Sequence, residues 1–288
     1  MHRFDLTTRV AAHVDRSGGP EAATGVEGLL AIRHRRQTRL EPMLYRPSLC
    51  LILQGRKRVL AGDREQELGP GDAAIISHHL PVLAKIVEAE GRAPFVALAL
   101  DIDLSLLREL RDEVGESELE SRSHRSLEVG RAEEALVEAM ARLFDLVDRP
   151  VDAKILTPLV RREIHYRVLV ADHGGTLRQL LEHRSHASQI TRALTALRRD
   201  FAQPLSVSEL ARLAGMSTSS FHEHFKALTA TTPLQYQKSL RLLEAQRMLA
   251  DGTHNVTGAA LEVGYQSTTQ FSREYSRRFG HSPRQDLP

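Results

Sequence analysis

The stretch "GYQSTTQFSREYSRRFGHSP", Gly264 to Pro283, sets Phe271 and Tyr275 four residues apart among hydroxyls, two glutamines and three arginines. Apolar residues at that spacing share one face of a helix and leave the polar residues on the other. About fifty residues upstream, "GMSTSSFHEHFKALTATTP" (Gly215 to Pro233) repeats the pattern. Aligning Gly215 with Gly264 and Pro233 with Pro283 matches Phe221 to Phe271, Phe225 to Tyr275 and Ala211 to Ala260, with one extra residue entering after the second glycine.

A duplicated helix-turn-helix accounts for both copies. Its first helix needs a small residue where the second crosses it, its turn needs a glycine able to take positive φ, and its second helix needs apolar residues four apart facing back inward. The first helices are expected at Val207 to Ala214, with Ser206 and Glu209 at capping-box spacing, and at Val256 to Val263, capped by Asn255. Ser217 and Ser267 are expected to cap the second helices. With the aromatic residues turned inward, Ser219, Ser220, His222, Glu223 and Lys226 face outward in one copy; Thr268, Thr269, Gln270, Ser272, Arg273 and Arg277 are their counterparts in the other. Short hydroxyl, amide and guanidinium groups at the start of such a helix suit the edges of bases in a DNA major groove. Between the copies, "LQYQKSLRLLEAQRMLADG" (Leu234 to Gly252) reads as a linking helix of roughly 25 Å, a reach suited to placing two such helices in successive grooves. Arg241 and Arg247 on that helix read equally as phosphate contacts or as solubilising charges.

Duplicated motif, linking helix and the closing "FGHSP" at Phe279 to Pro283 together resemble the AraC/XylS (arabinose-operon-regulator) family of bacterial transcription factors over about Ser188 to Pro283. The resemblance implies DNA read by both helix-turn-helices, with RNA polymerase as a candidate partner. Two positions depart from the family pattern: Ala230 stands where a glycine is usual, and Glu223 occupies an exposed recognition position where a basic residue would suit DNA better. The segment "YRPSLCLILQGRKRVLAGDREQELGPGDAAIIS" resembles the cupin-like ligand-sensing domain of one branch of the family, which implies a small-molecule effector and helices that form a homodimer.

The residues between Leu29 and Asp101 agree, with short β-rich runs ("SLCLILQ", "KRVLA", "AAIIS", "FVALAL") separated by Gly62-Asp63 and Pro70-Gly71-Asp72 turns. After them the period changes to that of helices: "LSLLRELRDEV", Ala132 to Val147, and Pro150 to Ala171. The expected fold is α+β: a cupin-like effector unit at 1–120, a helical dimerisation and linker region at 121–185, and a double helix-turn-helix unit at 186–288. Effector binding is expected to reach the DNA through the helices of Ala132 to Ala171.

Composition sets the outer bounds. With 41% apolar and 26% charged residues the chain is neither disordered nor fibrous, and no run is long and apolar enough to cross a bilayer, so a cytoplasmic protein is expected. From His186 onward 12 Lys/Arg stand against 8 Asp/Glu, whereas the rest of the chain carries two more acids than bases, which points to an anionic partner for the C-terminal part. No nucleophile triad, phosphate loop or dinucleotide fingerprint is present, and no cofactor and no enzymatic activity are expected. The alternative is a cupin-type metalloenzyme fused to a DNA-binding domain. Its ligands would come from His34, His78, His79, Glu65 and Glu67, but adjacent His78 and His79 point to opposite faces of a strand, so no metal site is expected. The one cysteine, Cys50, reads as a small buried hydrophobe or as an electrophile sensor whose pKa is lowered by Arg46, Arg56, Lys57 or Arg58.

Overall fold

The computed structural model describes residues 3–91, 93–115, 125–182 and 185–288. Among these residues ten strands form two antiparallel sheets. One has the order β1 (Glu21–Ala23), β2 (Leu29–His34), β9 (Phe95–Asp101), β4 (Ser48–Gln54), β7 (Asp72–Ile76), β10 (Leu127–Arg131); the other has the order β3 (Glu41–Tyr45), β8 (Leu80–Glu88), β5 (Arg56–Ala61), β6 (Arg64–Leu68). The larger sheet is covered on both faces, which is why "SLCLILQ" is almost continuously apolar. Leu49 and Leu51 of β4 pack toward the helices, while Cys50 and Ile52 look into the space between the sheets.

The helical layer is α1 (Arg3–Ser17), α2 (Leu104–Val114), α3 (Glu134–Asp145), α4 (Pro150–Val170) and α5 (Gly175–Leu181). Its apolar stripes, Leu136, Met140, Leu143 and Phe144 among them, form one core with the outer face of the larger sheet. Strand β10 corrects the expectation that everything after residue 121 is helical. It pairs along β7 from Leu127 opposite Ile76 to Arg131 opposite Asp72. Five residues between two strongly helical segments carry too short an alternation to be seen beside them. The expected division at 120 and 121 lies outside the described residues.

From Ser185 onward the chain is helical: α6 (His186–Arg199), α7 (Val207–Ala214), α8 (Thr218–Thr229), α9 (Pro233–Ala250), α10 (Val256–Glu262) and α11 (Thr268–Phe279). The caps are those the sequence implies. Ser206 Oγ accepts from the Glu209 N–H at 3.3 Å, Ser217 Oγ from Ser220 at 3.2 Å, Asn255 Oδ1 from Gly258 at 2.8 Å and Ser267 Oγ from Gln270 at 3.2 Å. Each satisfies a donor that the first helical turn would leave unpaired. Gly264, at φ +86, makes the turn of the second copy, and a methyl there would lie 2.0 Å from the Ala202 carbonyl oxygen. Gly215 (φ +70) does the same for the first.

Candidate functional site

The two copies have separate aromatic cores that aim their second helices. Phe221 and Phe225 are fully buried, and Phe225 meets Tyr236 of α9 edge-on at 5.7 Å. Phe271 and Tyr275 are equally buried, and Tyr265 meets Phe271 edge-on at 5.3 Å. Buried side chains of α9, Leu249 of the second core included, hold the copies together. Tyr236 and Leu240 join the first core, Leu242 and Ala245 the second. Arg241 is engaged inside the fold: it donates to the carbonyl oxygens of Phe201 (2.8 Å), Ala202 (3.0 Å), Gln203 (2.9 Å) and Gly264 (3.1 Å). Arg247 is tied to Glu244 and Asp251 on its own helix.

With the aromatic side chains inward, Ser219, His222, Glu223 and Lys226 of α8 are exposed, and Ser220 is half-buried. On α11, Thr269, Gln270, Arg273 and Arg277 are exposed, while Thr268 and Ser272 are half-buried. Each helix therefore presents its polar set on one face. Among the described residues, Lys226, Arg273 and Arg277 have no ion-pair partner, nor do the exposed Arg212 of α7 and Arg284, which the sequence pattern did not single out. Gln270 is less free, since its amide donates to Glu274 Oε1 at 3.2 Å, and Glu274 also receives Lys238 at 2.9 Å.

The C-terminal half is docked on the strands directly. Arg64 of β6 donates to the Ala227 carbonyl at 3.1 Å, and the Ser126 N–H to the Leu228 carbonyl at 3.0 Å. Tyr236 donates its hydroxyl to the His79 carbonyl at 2.7 Å. His78 is buried between the halves, with Thr191 Oγ1 2.8 Å from Nε2 and Ser77 Oγ 2.7 Å from Nδ1. Thr191 spends its own proton on the Ala187 carbonyl, so its oxygen accepts from His78 Nε2–H, and in the neutral ring Nδ1 accepts from the Ser77 hydroxyl. Burial lowers the His78 pKa to about 4. Ala230, the residue in place of the usual glycine, caps α8 at φ 58 and packs into the apolar cluster between the two sheets. The Gly62-Asp63 turn makes room for it: a methyl on Gly62 would lie 1.8 Å from the Ala230 oxygen.

Between the sheets is a cavity of about 490 Å³. Small residues at Ala74 and Ala99 leave the space, Ile32, Met43 and Val59 line it, and Tyr45, Cys50 and Lys57 are its inner polar groups. Cys50 therefore faces a cavity, but Arg56 and Arg58 do not approach it; they are paired with Glu88, Glu65 and Glu67. Burial pushes the Cys50 thiol up, opposed by Lys57, so the expected lowering of its pKa does not occur. His34, His78, His79, Glu65 and Glu67 are not brought together, and among the described residues no group of three His, Cys, Asp or Glu could hold a metal.

A family model described as the AraC-type transcriptional regulator N-terminus matches residues 25–176, and a helix-turn-helix domain model matches residues 210–287. The virulence regulon transcriptional activator VirF of Yersinia enterocolitica is 25% identical over 150 residues, covering 52% of this chain and 55% of that protein. A probable thc operon regulatory protein of Rhodococcus erythropolis is 31% identical over 167 residues, 55% of this chain and 49% of that one. The chain thus spans about half the length of the curated relatives it matches. Among solved structures, ToxT from Vibrio cholerae with an unsaturated fatty acid bound superposes with a TM-score of 0.60 over 89% of this chain and 92% of its own, at 8% identity, which speaks for the fold. With the first family model covering more than half of its residues, this chain belongs to the AraC-type transcriptional regulators.

Proposed function

We propose that this protein is a sequence-specific, effector-responsive transcription regulator that reads double-stranded DNA with α8 and α11. The observation that carries this is the pair of capped helices with matching outward polar faces, joined through the buried side chains of α9. Unpaired Lys226, Arg273 and Arg277 supply phosphate attraction, and Ser219, His222, Gln270 and Arg273 supply base readers. The test is a gel-shift titration with DNA from upstream of its own gene. Binding stronger than to random DNA is expected, falling steeply between 50 and 200 mM salt, about tenfold or more for several phosphate contacts. A salt-independent affinity equal for both DNAs would end this reading.

The strands form the effector-sensing unit, and the cavity between them is the effector site. Its shortest route to DNA is the docked C-cap of α8, not the helices of Ala132 to Ala171, because Ala230 packs in the same apolar cluster that holds Ile32, Val59 and Ile76 of the cavity wall. A homodimer is supported by α4, where Val151, Ile155 and Leu159 are 77, 69 and 61% exposed at four-residue spacing and Tyr166 and Val170 continue the stripe. A second copy of this helix is the surface such a stripe fits. Leu159→Asp is expected to halve the mass seen by light scattering while the circular dichroism spectrum stays that of the folded chain. An unchanged mass would place the dimer contact elsewhere. Among the described residues no helix is long and apolar enough to cross a membrane.

A further inference from the structure

The strand "RKRVLA" of β5 carries three consecutive cations, and two of them are answered. Arg56 pairs with Glu88 at 2.9 Å, and Arg58 with Glu65 at 3.0 Å and Glu67 at 3.1 Å. Lys57 lies between them and points to the other face, at the parity of buried Val59 and Ala61. Its side chain enters the cavity between the sheets, where its Nζ stands 5.0 Å from the centre of the Tyr45 ring. No carboxylate reaches it within ion-pair distance among the described residues; Glu21, at the cavity wall, acts only from further away. Burial pushes the Tyr45 phenol and the Cys50 thiol up, so both are neutral at pH 7 and neither is a countercharge.

A cation sunk among apolar side chains is costly unless something pairs with it. The other cation on the cavity wall, Arg46, already has Asp101 at 3.8 Å. Lys57 has the Tyr45 hydroxyl as a hydrogen-bond partner but no carboxylate to balance its charge, and one unbalanced positive charge calls for one negative charge. A dianion would lack its second partner, and a polyol would meet a wall of Ile32, Met43, Val59 and Ile76 with few groups to bond. We propose that the cavity takes an organic monoanion, an apolar carboxylate whose head pairs with the Lys57 ammonium beside Tyr45 and whose body fills the space left by Ala74 and Ala99. This deepens, and rests on, the reading of the strands as the effector-sensing unit. Cys50 then serves as part of the wall and takes no covalent step.

Calorimetric titration of the full-length protein with 6-phenylhexanoate and with 6-phenylhexan-1-ol, which differ only at the head group, tests this. The acid is expected to bind at least tenfold more tightly than the alcohol. Lys57→Met should erase that preference by weakening the acid alone, and Lys57→Arg should keep most of it. Equal affinities for the wild type, binding of neither compound, or a preference that survives Lys57→Met would overturn the proposal. A gel shift run alongside separates it from the regulatory reading: an acid preference with no change in DNA affinity supports the monoanion site and removes instead its role as effector site.

Discussion

Phe271 and Arg273 stand two positions apart and do opposite work, and both roles could be read from spacing. Phe271 is fully buried against Tyr265 and Tyr275. Phe271→Ala opens a cavity of the kind that costs about 3 to 5 kcal/mol, so the C-terminal unit is expected to melt well below the wild type in circular dichroism. Arg273 is exposed and unpaired among the described residues, so Arg273→Ala should leave the melt in place while costing about 1 to 3 kcal/mol of DNA affinity and relaxing preference at one or two base pairs in a footprint series. An unchanged melt for Phe271→Ala would reverse the inward assignment. Arg241 shows where reading by residue type stops. Its sequence context is that of a surface arginine on a helix, yet all its recorded hydrogen bonds go to backbone carbonyls of the 201–203 turn and of Gly264, partners that become visible only when the chain is folded. Lys57 is the converse case: the alternation of "RKRVLA" turns it inward with Val59, yet by residue type it stood only as one of four cations near Cys50.

At the scale of elements, the helix-turn-helix units were legible because everything that defines them is local: caps three residues from their donors, aromatic residues four apart, a glycine at each turn. Strand β10 and the docking of α8 were not, since their partners lie some fifty or more residues away in sequence. The cap of α8 is the informative element. A non-glycine residue in the left-handed region costs roughly 1 to 2 kcal/mol, and Ala230 accepts that cost where a glycine would not. Its methyl, buried in the cluster between the sheets, returns about 0.8 kcal/mol by the usual value for a buried methyl or methylene group. Ala230→Gly should therefore leave the full-length protein within about 1 kcal/mol of wild type, while stabilising an isolated 186–288 fragment by roughly 1 to 2 kcal/mol, because only the strain relief is left there. Equal effects in both, measured by denaturant titration, would mean that the methyl contributes nothing to docking. Gly62→Ala, by contrast, places a carbon inside the Ala230 carbonyl and is expected to release α8 from the strands, exposing the 61–64 turn to protease.

For the whole molecule, the joint between the halves turns on a histidine that sequence reading considered only as a metal ligand. His78 is 3% exposed and neutral, held between Ser77 and Thr191, and its burial lowers its pKa from the usual 6.5 to about 4. The unfolded chain therefore binds a proton at this residue through pH 6.5 to 4 that the folded chain refuses, so folding stability contributed here is complete above 6.5 and is lost as pH falls toward 4. At pH 5 the loss amounts to about 2 kcal/mol for this one side chain. His79, also lowered to about 4 by burial and by Arg198 and Arg46, acts in the same direction, and its half-exposed position makes its share smaller. His78→Gln keeps a donor toward Thr191 without a titrating group. At pH 7 it should be less stable than wild type, because the amide fits the Ser77 and Thr191 partners less well. In denaturant titrations the gap between the two proteins should narrow by about 2 kcal/mol on moving to pH 5, because only the unfolded wild type gains a proton at this position. The wild type should also lose its interdomain protection over that window, with the Ser126 and Tyr236 contacts exchanging or becoming accessible before the cores around Phe221 and Phe271 open. A gap that stays constant from pH 7 to 5 would show that His78 titrates alike in the folded and unfolded chain, and would leave the joint to its hydrogen bonds at Arg64, Ser126 and Tyr236 alone.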